Sequence, residues 1–78
     1  MLSVRIITPS QLLFEGQAES VTLPGSVGSF TVLNGHAPII SSLCKGKVVC
    51  KNAEGIQVFE ANGGFAEVKD NVVSICIE

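Results

Sequence analysis

The sequence has no tryptophan and no tyrosine, and its whole aromatic content is four phenylalanines. It has one histidine, and five Lys and Arg stand against seven Asp and Glu, for a net charge of −2. Each shortage excludes a class of function. A nucleic-acid surface needs clustered cations and, for single strands, aromatic rings on which bases stack. Too few cations also rule out a polybasic segment held on an anionic bilayer. No apolar run approaches the roughly 20 residues needed to span a membrane as a helix. The opening MLSVRIITPS has neither the basic start nor the long apolar stretch of a secretory leader.

Cysteine is scarce too. Cys44, Cys50 and Cys76 are odd in number and unpaired in spacing, whereas a secreted disulfide scaffold uses four, six or eight. They are expected to be buried thiols that pack as small hydrophobes. Cys44, Cys50 and His36 offer three zinc-ligand types. However, the Cys-x5-Cys spacing is not that of a zinc knuckle, and no second Cys-x2-Cys pair exists. No metal and no cofactor is therefore expected.

With 78 residues the chain can form one domain, spanning 1–78. A chain this short buries about 60–65% of its unfolded surface. Its core alone then stabilises the fold by roughly 3–5 kcal/mol. Glycine and proline, eight and three in number, cut the sequence into runs of strand length. Only FAEVKDNVVSICIE, residues 65–78, is long enough for a helix. The Asp70-Asn71 turn signal and the β-branched VVSICI after it favour two strands instead.

Side chains alternate with a period of two. Val21 and Leu23 oppose Ser20 and Thr22; Val48 and Cys50 oppose Lys47 and Lys51; Val73, Ile75 and Ile77 share a face. Nine or ten short strands separated by turns predict an all-β fold, a small antiparallel β-sandwich or flattened barrel. The alternation breaks at Leu33, at Phe59 and at Ile39-Ile40, which puts apolar groups on both faces of their strands. In so small a sandwich an outer apolar face is expected to be covered by something else.

No catalytic constellation can be assembled. His36 is the only side chain that titrates naturally near neutrality, and the acids nearest it in sequence, Glu19 and Glu54, are remote. The glycines form neither a GxGxxG turn nor a phosphate loop ending in Lys-Ser/Thr. Asn34-Gly35 predicts a left-handed turn, and Pro38 holds Ala37 extended. His36 thus reads first as a corner residue bonded to backbone, and second as a partner contact.

The segments VRIITPSQLLFEGQAESVTLPGSVGSFTVLNGHAPIISSLCKGKV and FEANGGFAEVKDNVVSI resemble the N-terminal β-sandwich domain of the ε subunit of F-type ATP synthase, over essentially the whole chain. Three features carry the resemblance: PGSVGSFTVLNGHAP, the Lys45-Gly46 step before a strand, and GGFAEV followed by NVV. The resemblance implies a rotor part, no enzyme by itself, that joins the γ subunit to the c-ring and couples ion-driven rotation to ATP synthesis. It implies one copy per complex, peripheral on the cytoplasmic face of the bacterial inner membrane. Gly25, Ser26, Val27, Gly28 and Ser29 correspond to the c-ring loop, with His36 expected nearby; Thr8 and the strand holding Ile39 and Ile40 correspond to the γ-facing positions. Many members carry acids in that loop where Val27 and Ser29 stand here. Most bacterial members continue into a two-helix hairpin, whereas this sequence ends at Glu78. The expectation is a short form without a C-terminal helical domain, its inhibitory action or its ATP site. The rival, a lipoyl or biotinyl carrier domain, needs a lysine at a hairpin tip. Lys51-Asn52-Ala53-Glu54-Gly55 puts a lysine near a turn but lacks the carrier's flanking residues.

Overall fold

A computed structural model describes residues 1–78. It contains nine strands and no helix: β1 (Leu2–Ile7), β2 (Leu12–Ala18), β3 (Ser20–Leu23), β4 (Phe30–Leu33), β5 (Ile39–Leu43), β6 (Gly46–Asn52), β7 (Gly55–Ala61), β8 (Gly64–Lys69) and β9 (Val72–Ile77). They form two sheets, one of five strands in the order β2-β1-β9-β8-β5 and one of four in the order β4-β3-β6-β7. The all-β sandwich expected from the alternation is the observed architecture.

The alternating residues face as their period requires. Leu2, Val4 and Ile6 of β1, Val21 and Leu23 of β3, Val48 and Cys50 of β6, and Val73, Ile75 and Ile77 of β9 are all buried between the sheets. Sixteen such residues make one core, with Phe14, Phe30 and Phe59 packed at its margin. Phe14 and Phe59 close one side, their ring centroids 5.5 Å apart. No buried side-chain nitrogen or oxygen lacks a hydrogen-bond partner.

One pairing departs from the antiparallel expectation. β1 and β9 run parallel, with Val4 opposite Val73 and Ile6 opposite Ile75. A period of two is the same in either direction, so alternation alone cannot distinguish them. The parallel pair arises because the chain changes sheets four times, between β2 and β3, β4 and β5, β5 and β6, and β7 and β8. Each crossing lets a strand return beside a partner that is distant in sequence.

The turns fall into two groups, at opposite ends of the sandwich. At one end Thr8–Gln11 joins β1 to β2, residues 24–29 join β3 to β4, and Cys44-Lys45 and Asn62-Gly63 change sheets. At the other end lie Met1, the β4–β5 connection, the Ala53-Glu54 turn and the Asp70-Asn71 turn. Asp70 and Asn71 have φ of 51° and 63°, the left-handed pair that a two-residue hairpin needs. The carboxamide of Asn71 then ties this end together. Its Oδ1 accepts the Gly35 N–H at 2.8 Å, and its Nδ2 donates to Asn34 Oδ1 at 3.0 Å. The Met1 ammonium donates to the same Asn34 oxygen at 3.1 Å.

Candidate functional site

The loop from Gly25 to Ser29 is held at its base. Gly25 is buried and forms an isolated bridge with Leu43 at the end of β5. The Ser26 N–H donates to Ser42 O at 3.0 Å, the Ser42 hydroxyl donates to Ser26 Oγ at 2.9 Å, and the Cys44 N–H donates to Pro24 O at 2.9 Å. A Cβ on Gly25 would lie 2.6 Å from Gly28 O and 2.9 Å from the Phe30 ring, so the tight base requires glycine there. The fixed base leaves Val27 fully exposed at the tip. An apolar side chain on a short, anchored loop is suited to insertion against a partner, because little loop entropy remains to be lost.

Thr8 closes the β1–β2 turn at the same end of the molecule. Its hydroxyl oxygen accepts the N–H groups of Ser10 and Gln11, and its own N–H donates to Gln11 O at 2.8 Å. Ile40 projects from the outer face of the edge strand β5 and is 74% exposed; Ile39, on the alternate face, is 37% exposed. Thr8 and Ile40 are therefore not neighbours, because β9 and β8 lie between β1 and β5.

What lies between them was not singled out from the sequence. On the outer face of the five-stranded sheet the register aligns Leu12, Ile7, Cys76, Phe65 and Ser42 in one cross-strand row. Leu12 and Phe65 are about half exposed, and Ile7 and Cys76 are partly so. A shallow cleft of 180 Å³ opens beside Ile7, Phe65 and Cys76. The row ends on Ser42, which is bonded to Ser26 of the loop. The apolar row, Ile40 above it and the Val27 tip thus form one continuous feature at one end and one face of the sandwich. A signal for the row existed in the sequence. Ile7 follows buried Ile6, Phe65 precedes buried Ala66, and Cys76 sits between buried Ile75 and Ile77.

The expected proximity of His36 to the loop is corrected. β4 separates them, and His36 lies at the opposite end, where its N–H donates to Leu33 O at 3.1 Å. The reason is that β4 runs away from the loop and the next connection crosses to the other sheet before β5 returns. The His36 Nδ1 is 2.6 Å from Ala37 O; a carbonyl only accepts, so this nitrogen carries the proton. His36 is partly buried at a corner bonded to backbone.

The three residues weighed as zinc ligands are dispersed. Cys50 faces the core from β6, and burial pushes its thiol up to about 11. Cys44 is exposed beside the loop, where its thiol donates to Gly25 O at 3.8 Å, and His36 is at the far end. Lys51, weighed as a carrier lysine, lies within β6 facing outward, and the tip of that hairpin is Ala53-Glu54.

Comparison with known proteins agrees with this fold. A family profile described as "ATP synthase, Delta/Epsilon chain, beta-sandwich domain" matches residues 1–78. The ATP synthase epsilon chain of Leptospira interrogans serovar Lai is 39% identical over 74 residues, which is 95% of this chain and 58% of that one. That of Gloeothece citriformis is 41% identical over 76 residues, covering 97% of this chain and 55% of the relative. The epsilon chain of Caulobacter vibrioides is 38% identical over 77 residues and is itself 90% covered. The chain thus spans little more than half the length of most of the curated relatives it matches. Among solved structures, a chain of the Euglena gracilis mitochondrial ATP synthase OSCP/F1/c-ring assembly superposes with a TM-score of 0.89 at 24% identity, over 97% of this chain and 49% of that one, a likeness of fold. The chain belongs to the β-sandwich family of ATP synthase delta and epsilon chains.

Proposed function

We propose that this sandwich is a non-catalytic rotor element of an F-type ATP synthase. It joins the γ subunit to the c-ring in the central stalk and couples ion-driven rotation to ATP synthesis. It sits at the cytoplasmic face of the bacterial inner membrane as a peripheral protein, one copy per complex. Gly25, Ser26, Val27, Gly28 and Ser29 meet the c-ring, and γ lies across the outer face of the five-stranded sheet from Thr8 to Ile40, reaching Ile39 round the open edge of β5.

The single observation that carries this assignment is the continuity of the exposed apolar row with the anchored Val27 loop. One rigid body then offers a side to one partner and a tip to another. The loop has no acid, so its contact relies on apolar packing and backbone hydrogen bonds rather than on charge. His36, being at the other end, is left with its corner role. These 78 residues contain no helix, so coupling and not helix-mediated inhibition is assigned to them.

A tagged chain expressed in a bacterium with its own synthase subunits tests this directly. The expected result is recovery of both γ and c from detergent-solubilised membranes. Val27→Asp should lose c and keep γ, because the two surfaces are separable. Recovery of neither subunit with the unaltered chain would overturn the proposal.

A further inference from the structure

The four sheet edges are not equally protected. A strand at a sheet edge presents unpaired N–H and C=O groups, and natural edges are usually blunted by short length, proline, lysine or a bulge. β4 has four residues. β5 is preceded by Pro38 and bridged at Leu43 to Gly25. β2 has a register shift against β1, and its outward Glu15 is engaged with Arg5. β7 has none of these. It is seven residues long, GIQVFEA, without lysine, arginine or proline, and its register against β6 is unbroken. Ile56 and Val58 are 62% and 51% exposed on its outer face, and Glu60 is its one charge.

We infer that the free chain forms a two-fold dimer by antiparallel pairing of β7 with β7 of a second copy, centred on Val58. The sequence of β7 is self-complementary in this register. All seven residues pair when Val58 meets Val58, which puts Gly55 opposite Ala61, Ile56 opposite Glu60 and Gln57 opposite Phe59. Centring on Glu60 would oppose two carboxylates, which is unfavourable directly across strands. Centring on Ile56 would leave much of the strand unpaired.

The neighbouring strand supports the same register. Lys47 stands opposite Glu60 and Lys51 opposite Ile56 within one copy. Across the two-fold, each outer row then reads Lys47, Glu60, Ile56 and Lys51, so each carboxylate keeps Lys47 on one side, meets the apolar Ile56 of the second copy on the other, and no like charges oppose. The central row, Thr31-Thr22-Val49-Val58 in one copy, continues as its mirror in the other. It gives an eight-stranded sheet with an uncharged, β-branched middle, the residues best suited to cross-strand packing. The five-stranded sheet is not used. This pairing rests on β7 alone and stands whether or not the chain serves in a rotor; it is a state of the chain outside any complex.

Sedimentation velocity of the purified chain, over a series from about 1 μM to about 1 mM, should show a monomer giving way to a dimer and to nothing larger. Val58→Lys adds an edge cation at an exposed position and should leave a monomer throughout, with an unchanged melting temperature. In a Cys44→Ser background, Val58→Cys should be joined by a short thiol cross-linker at least tenfold faster than Ile56→Cys, because only Val58 meets its own counterpart. A mixture of Ile56→Cys and Glu60→Cys should cross-link where each alone does not. A monomer at every concentration, a continuous ladder of larger species, or equal cross-linking of Val58→Cys and Ile56→Cys would each overturn the inference.

Discussion

Two glycines with similar backbone angles separate conformational strain from collision. Gly64 and Gly55 have φ of 137° and 140°, a region that residues with a Cβ rarely adopt. A Cβ at Gly55 would meet nothing, whereas one at Gly64 would run into the Cys76 carbonyl oxygen on the paired strand. Gly55→Ala should therefore cost about 1–2 kcal/mol from backbone strain alone. Gly64→Ala should cost about 2–4 kcal/mol, since β8 must also move away from β9. Urea unfolding of the two variants gives the difference. Cys50 yields a second expectation at this scale. Burial raises its thiol from the ordinary 9.0 to about 11, so the folded state keeps the proton where the unfolded chain releases it. Its stabilising effect is complete below about pH 9 and is lost as pH rises towards about 11. The urea midpoint should fall across that window, and less steeply in Cys50→Ala. A thiol reagent at neutral pH should modify the exposed Cys44 at once and Cys50 only on unfolding.

Among the elements, the Asp70-Asn71 hairpin does more than reverse the chain. Through Asn71 it bonds the β4–β5 connection, and the Ser3 N–H donates to the Asn71 carbonyl at 2.8 Å. Asn71→Gly keeps the left-handed turn and removes only the carboxamide, so it should cost about 1–2 kcal/mol for the lost bonds. Asn71→Ala adds the penalty of a left-handed alanine and should cost about 1 kcal/mol more. Amide exchange at Gly35 should quicken in both. The hairpin itself was legible in the sequence, because Asp-Asn between alternating runs has a local cause. The alternation of β1, β3, β6 and β9 was legible for the same reason, since a half-buried strand must repeat every second residue. The sheet partners were not. Nothing local tells Val4 that it lies beside Val73, and the parallel β1–β9 pair depends on four sheet changes along the chain. The same non-local cause hid the distance of His36 from the Gly25–Ser29 loop, though the two are close in sequence. The row of Ile7, Phe65 and Cys76 was readable singly as breaks in period. Its members come together only through the register of β1, β9 and β8.

At the scale of the whole molecule, the two outer faces make different demands and can be tested against each other. The extents of 26 × 23 × 17 Å leave no room for a large cleft, so any partner must be met by surface. The face of the five-stranded sheet offers Ile40 and Phe65, 74% and 54% exposed, with the apolar row beside them. If γ covers that face, a carboxylate placed there loses its hydration without gaining a partner. Ile40→Asp or Phe65→Asp should then weaken γ association by several kcal/mol, on the order of 2–4. Both side chains are exposed in the free chain, so the melting temperature of the isolated variants should move little. Val58→Lys, on the outer face of the other sheet, should leave γ recovery unchanged while removing any self-pairing through β7. The pattern to be read is a crossed one: loss of γ with intact stability from one face, and loss of self-association with intact γ from the other. Equal γ recovery for Ile40→Asp, Phe65→Asp and the unaltered chain would separate the five-stranded face from γ and leave the apolar row without its proposed cover.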